Sequence, residues 1–257
     1  ALLLGLTGGY PSGAQAVCAL YTAGSIDREQ ARALLRFCNN CGPAFIFGVV
    51  GSAIFHSALA GLLLYLIHAF SALLCGILLR KRTSPRSAAY SPSVRDSPPP
   101  FSDAFTSSVR RAGAASLEVC MFVVIFGVLS GLLISALSPF LPSLTLGLLT
   151  GLLELSGGAS ALSALALSQQ VKFIAASFFL AFGGLSVHAQ TKAVLRAAEL
   201  ETLPVLAPKL LHALLAAALS VPVYAVFQKK LEAAPAFSLE AVSGGLPLAG
   251  FLFCSVL

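Results

Sequence analysis

The chain reads as an all-α, polytopic membrane protein built from two inverted repeats, each a re-entrant hairpin followed by a broken transmembrane helix. Composition is the first ground: of 257 residues, 57% are hydrophobic and 10% charged, with a mean hydropathy of +0.90. Soluble domains carry about 25% charged residues, so most of this surface is built to face lipid. The second ground is a pair of interruptions rich in glycine and hydrogen-bonding side chains: Gly5–Val17 (GLTGGYPSGAQAV), which also holds a proline, and Gly151–Leu162 (GLLELSGGASAL). Backbone that is not continuous helix survives at membrane depth only where it is buried in protein or lines a watery cavity. Such breaks, in corresponding places of two halves, point to a transporter's binding site.

The elements follow in order. Ser25 reads as an N-cap, with acids in the first turn and arginines after it, as the helix dipole favours. That amphipathic piece leads into Phe37–Phe55, rich in glycine and small residues. A span over about His56–Leu79 ends at Arg80-Lys81-Arg82. Residues 83–108, rich in serine and proline, read as a solvent loop. A span over about Gly113–Leu137 ends before Pro139 and Pro142. The second broken segment runs from near Leu144 through Leu162. Val171–Val187 is another interrupted span, and Val205–Phe227 is the last complete one. The organisation is therefore 1–79, a first repeat; 80–112, a basic loop; 113–228, the second repeat; and 229–257, a loop and the start of a terminal apolar helix. Because the sequence opens inside an apolar motif without Met and closes within the apolar run Leu246–Leu257, it is expected to be a fragment lacking N-terminal helices.

Charge sets the sidedness. Arg80, Lys81, Arg82, Arg86, Arg95, Arg110 and Arg111 outweigh Asp96 and Asp103 in the loop, which the positive-inside rule places in the cytoplasm. Counting spans from there, the first broken segment opens from the cytoplasm and the second from outside. Each is followed by a further break, at Asn39–Pro43 and at Phe182–Ser186.

Other classes find no support. The net charge of +6 is dispersed in loops beside apolar runs, so no nucleic-acid partner is expected; the lipid bilayer and a small-molecule substrate are. No Ser/His/Asp order, P-loop, HExxH or dinucleotide fingerprint is present, so no enzyme and no catalytic residue are expected. Cys38 and Cys41 form a CxxC pair without the second pair a metal site needs; the six cysteines read as small buried residues. No cofactor or metal is expected. A coupling ion, Na⁺ or H⁺, and a homo-oligomer stay open.

The substrate-binding candidates are Tyr10, Ser12, Gln15, Asn39, Asn40, Glu154, Ser156, Ser186, His188 and Gln190. Polar groups at membrane depth tend to be functional, and hairpin tips entering from opposite faces can meet only near mid-depth. Tyr10, Ser12 and Gln15 offer hydroxyl and amide groups at the first break; Asn39 and Asn40 do so at the second. Glu154, an acid in an apolar segment, reads either as an ion-coupling group or as a buried hydrogen-bond partner of a neighbouring helix. His56, His68 and His212 show no convergent partner and read as structural, and Glu118 reads as interfacial.

Three stretches, Gly8–Ala14 (GGYPSGA), Phe37–Pro43 (FCNNCGP) and Phe182–Gln190 (FGGLSVHAQ), with Pro99–Phe105 and Val119–Phe126 in support, resemble the sporulation integral membrane proteins of the YlbJ (SpoVV) type. The resemblance spans nearly the whole chain. It implies a nucleoside-recognition (Gate) domain, similar in architecture to concentrative nucleoside transporters, in a multi-pass protein of the bacterial cell membrane, the outer forespore membrane of a sporulating cell. It further implies transport of dipicolinic acid during endospore formation. A nucleoside is the alternative solute, and a non-transporting scaffold for spore assembly the alternative role. The nucleoside carriers have an acidic first hairpin tip; Tyr10-Pro11-Ser12-Gly13 has no acid, and helix N-termini without an acid favour an anion.

Overall fold

A computed structural model describes residues 1–80 and 100–233. It is an all-α polytopic membrane protein, without a strand among the described residues. Four helical stretches are long and apolar enough to cross a bilayer: Ala58–Leu78, Phe101–Leu137, Gln169–Arg196 and Leu206–Glu232. The basic residues Lys81, Arg82, Arg86 and Arg95, the apolar run 246–257 and Cys254 lie outside the described residues.

The first half opens with two short helices, α1 (Leu2–Gly8) and α2 (Ser12–Thr22). They form an antiparallel hairpin, since a methyl group placed on Gly5 would stand 3.2 Å from the Gly13 Cα. Helix α3 (Arg28–Leu35) starts later than the Ser25 cap implied. Its N-cap is Asp27, whose Oδ1 accepts from the Gln30 amide at 2.8 Å while Gln30 Oε1 accepts from the Asp27 amide at 2.8 Å. This reciprocal capping box satisfies two otherwise free backbone donors. After α3 the chain runs without helix to Gly42, and Pro43 at the first helical position starts α4 (Pro43–Phe45). α4 continues as a π-helical run, Ile46–Ile54. Single π turns favour functional sites; here the wide turn spans nine residues. Ser57 then caps α5 (Ala58–Leu78) by accepting from the Ala60 amide.

The second half begins with α6 (Phe101–Leu137), and the solvent loop expected over 83–108 gives way to helix from Phe101 onward. With 37 residues at about 1.5 Å each, α6 is roughly 55 Å long, well beyond a hydrocarbon core of about 30 Å. Asp103, Arg110 and Arg111 occupy its first three turns and Glu118 follows, leaving the apolar stretch 119–137 to cross. A second antiparallel hairpin follows, α7 (Ser143–Leu153) and α8 (Leu155–Ala164), interrupted only at Glu154. Helix α9 (Gln169–Phe182) breaks at Gly183 and resumes as α10 (Gly184–Arg196). Gly183 at φ 85° and Gly184 at φ 76° hold left-handed backbone that side chains with a Cβ adopt at a cost. Helix α11 (Leu206–Glu232) completes the described chain, with Pro222 inside it.

The order hairpin, broken helix, long helix therefore occurs twice. Packing is reciprocal as well. α2 packs on α3 of its own half and α10 of the other, while α8 packs on α9 of its own half and the π-helical run of the other. Two hydrophobic clusters hold this together. The larger joins α5, the π-helical run, α8, α9 and α11 through Ile46, Leu64, Leu162, Phe173, Leu180 and Tyr224. The smaller joins α2 and α3 to residues 195–205 through Val17, Leu35, Leu200 and Leu203.

Candidate functional site

The four helix breaks meet. A methyl on Gly9 would stand 3.0 Å from the Gly42 amide nitrogen, one on Gly183 would stand 3.3 Å from Tyr10 Cζ, and one on Gly184 would stand 3.3 Å from the Glu154 Cα. Around this junction lies a cleft of about 90 Å³, lined by the Gly8–Tyr10 turn, Cys41 and Gly42, Glu154–Ser156, and Ser186, Val187 and Gln190. Val119 and Val123 of α6 and Phe45 close its apolar side.

At three of the four breaks, side chains take up backbone groups that the helices leave free, as buried backbone favours. At the C-terminal end of α9, the Leu180 and Ala181 carbonyls accept from the Tyr10 phenol at 3.1 and 3.3 Å. In the Cys38–Gly42 segment, the Cys41 amide donates to His68 Nε2 at 3.0 Å. Asn40 Nδ2 donates to the Phe37 carbonyl at 2.8 Å. At the second hairpin tip, Glu154 Oε1 and Oε2 accept from the Ser156 and Gly157 amides at 2.9 and 2.5 Å. Glu154 thus caps its own helix rather than bonding to a neighbouring one. It also places an acid on the cleft wall, so the cleft is acid-free only at the Tyr10-Pro11-Ser12-Gly13 tip.

The sequence-predicted candidates divide by position. Tyr10, Glu154, Ser156, Ser186 and Gln190 line the cleft. Gln190 Nε2 donates to Ser186 Oγ at 3.3 Å, and its buried Oε1 has no partner. Asn39, Asn40 and His188 lie behind the cleft. Asn39 Nδ2 donates to Thr191 Oγ1 at 2.9 Å, and His188 packs edge-on against Phe182 with its Nε2 unpartnered. Ser12 and Gln15, on the first turn of α2, are half-buried and do not line the cleft.

Sequence reasoning passed over Lys209 and set aside His68 and His212, which the structure brings together. His68 and His212 are buried with ring centroids 4.8 Å apart. Lys209 Nζ lies 3.4 Å from Asn40 Oδ1, 3.3 Å from His212 Nδ1 and 5.2 Å from the centroid of the Tyr10 ring. The one available signal was a lysine inside the Val205–Phe227 apolar run, where a charge is expensive. Its partners lie far off in sequence, and nothing local announces them.

No family profile and no solved structure matches the chain. The sporulation integral membrane protein YlbJ of Bacillus subtilis (strain 168) is 31% identical over 258 residues, an alignment covering 84% of this chain and 61% of the relative. The chain thus spans about three fifths of that relative's length. By this likeness across most of its length, the chain belongs to the YlbJ-type family of integral membrane proteins.

Proposed function

We propose that this protein is a carrier rather than a catalyst, moving a small polar or anionic solute across a bilayer through the cleft. The observation that supports the reading is the convergence of all four helix breaks on one cavity, the arrangement in which discontinuous helices bind solutes at mid-depth. Repeated element order and reciprocal packing of the hairpins support inverted repeats opening to opposite faces. The first turn of α10 has no side-chain cap and carries Ser186 and Val187 into the cleft, so its amides are free to meet a carboxylate. Dipicolinate, in the outer forespore membrane of a sporulating cell, is the solute this reading favours; its relative is named a sporulation protein. The cleft of about 90 Å³ is well below the 300–1,000 Å³ of sites for drug-sized ligands.

Reconstituted into proteoliposomes, the protein should accumulate labelled dipicolinate, with unlabelled dipicolinate competing better than uridine. Uptake that uridine blocks and dipicolinate does not would shift the assignment to nucleosides. No uptake of either, with function lost on deleting residues 84–108, would favour the scaffold. The inverted arrangement has its own check. Cysteines introduced at Ser12 and Ser156 should react with impermeant thiol reagents from opposite sides of the membrane. Labelling of both from one side would overturn it.

A further inference from the structure

Lys209 is a buried lysine for which the described structure supplies no counter-charge. Its residue is 4% exposed, and among the described residues no carboxylate lies within 4.0 Å of its ammonium. Its neighbours are electron-rich but neutral. With Lys209 as the donor, His212 Nδ1 accepts, and the His212 Nε2–H donates to the His68 carbonyl at 3.1 Å. His68 Nε2 accepts from the Cys41 amide, so it too carries no proton there. In that arrangement both imidazoles are neutral, and Asn40 Oδ1 and the face of Tyr10 add only dipole and quadrupole. Thiols of Cys38, Cys41 and Cys75 and the His188 ring complete the titratable surroundings.

A lone charge of this kind is costly in a membrane bundle and is retained where a pathway uses it. Its place fits that use. Lys209 touches the Asn39–Cys41 break through Asn40 and the first hairpin tip through Tyr10, and Tyr10 itself lines the cleft. The Tyr10 hydroxyl donates to the two carbonyls at the end of α9, and Lys209 does not itself line the cleft, so for a solute to meet it the hairpin tip that carries this ring has to shift. Glu154 lies on the other wall, within a cleft that has no cation of its own.

Resting on the transport reading above, we propose that Lys209 receives the negative charge of the solute, which makes the carried class small carboxylates rather than neutral nucleosides. Uptake of labelled dipicolinate into proteoliposomes by the parent, Lys209→Met and Lys209→Arg tests it. The methionine variant should lose about tenfold or more of the uptake, as expected when a charge-assisted bond is removed. The arginine variant should keep most of it. Detergent melting of Lys209→Met should match or exceed the parent, because an unneutralised buried charge has been replaced by an apolar chain. On the parent, where no variant has to fold, a pyridine bearing two hydroxymethyl groups in place of the carboxylates should compete about tenfold more weakly than dipicolinate. Equal competition by that neutral analogue, or parental uptake by a folded Lys209→Met, overturns the assignment while leaving transport standing. If the parent accumulates uridine but no carboxylate, this assignment falls while transport stands; if it accumulates neither, the transport reading falls and this assignment falls with it.

Discussion

Alanine at Gly13 should destabilise the fold by about 3 kcal/mol or more, the upper end of what overpacking costs. The Cys38 carbonyl, at the start of the Cys38–Gly42 break, lies between the two arms of the first hairpin. A methyl on Gly13 would stand 1.9 Å from that oxygen and 2.8 Å from the Asn39 Cα; one on Gly5 would stand 1.7 Å from the same oxygen. Every blocking atom is backbone, so no side chain can swing aside. Relief requires the hairpin to leave the Asn39–Gly42 segment, and with it the contact of Gly9 and Gly42 that closes the cleft. The second hairpin is closed by glycines too, but arm on arm: a methyl on Gly158 would stand 2.2 Å from the Gly151 Cα. Gly127→Ala is the control: on α6 its added methyl meets nothing within 4 Å, and helix propensity there gains about 1 kcal/mol. Thermal unfolding in detergent, with the yield of monodisperse protein, reads the difference. A Gly13→Ala protein that melts with the parent would show that the hairpin does not clasp the Cys38 carbonyl.

What was legible in the sequence was legible for local reasons. Apolar runs of span length and clusters of glycine and proline act through neighbours a few residues away. Thus the interruptions at Gly9-Tyr10-Pro11, Asn39–Gly42 and Gly183 fall where composition placed them. The break in the second hairpin was harder. Within the Gly151–Leu162 interruption, Ser156, Gly157 and Gly158 are helical and the chain turns at Glu154, whose carboxylate gathers the amides just after it. The start of α6 was missed because serine and proline dominate the stretch before it, although Pro100 ends that character and helix follows at Phe101. Least legible was the group behind the cleft. Lys209 meets Asn40 across 169 residues and His212 meets His68 across 144. Hydropathy treats each as an isolated blemish in a span, and only the folded packing of α5, α11 and the Asn39–Gly42 break shows that they belong together.

Glu154→Gln should lower solute uptake by about tenfold or more while costing roughly 1–3 kcal/mol of stability. The carboxylate accepts from two successive amides, one on each oxygen. A glutamine offers one oxygen and turns an NH₂ toward the second amide, so a donor is left facing a donor in a buried place. Helix α8 then loses half of its cap and the favourable charge at its N-terminus. The effect on transport is expected to exceed the effect on folding, since Glu154 and Ser156 are cleft wall and Gly184 packs directly on the Glu154 backbone. A tip that frays by a fraction of an ångström moves both α8 and the start of α10. Glu154→Asp separates the two contributions: it keeps the charge and remains a good N-cap residue, but withdraws the carboxylate from the position it now holds. Melting temperature and uptake, measured on the same preparations, distinguish the roles. Were Glu154→Gln to melt lower yet carry solute at the parental rate, Glu154 would be a helix cap alone, and the cleft's working wall would lie with Ser186, Gln190 and the Tyr10 turn.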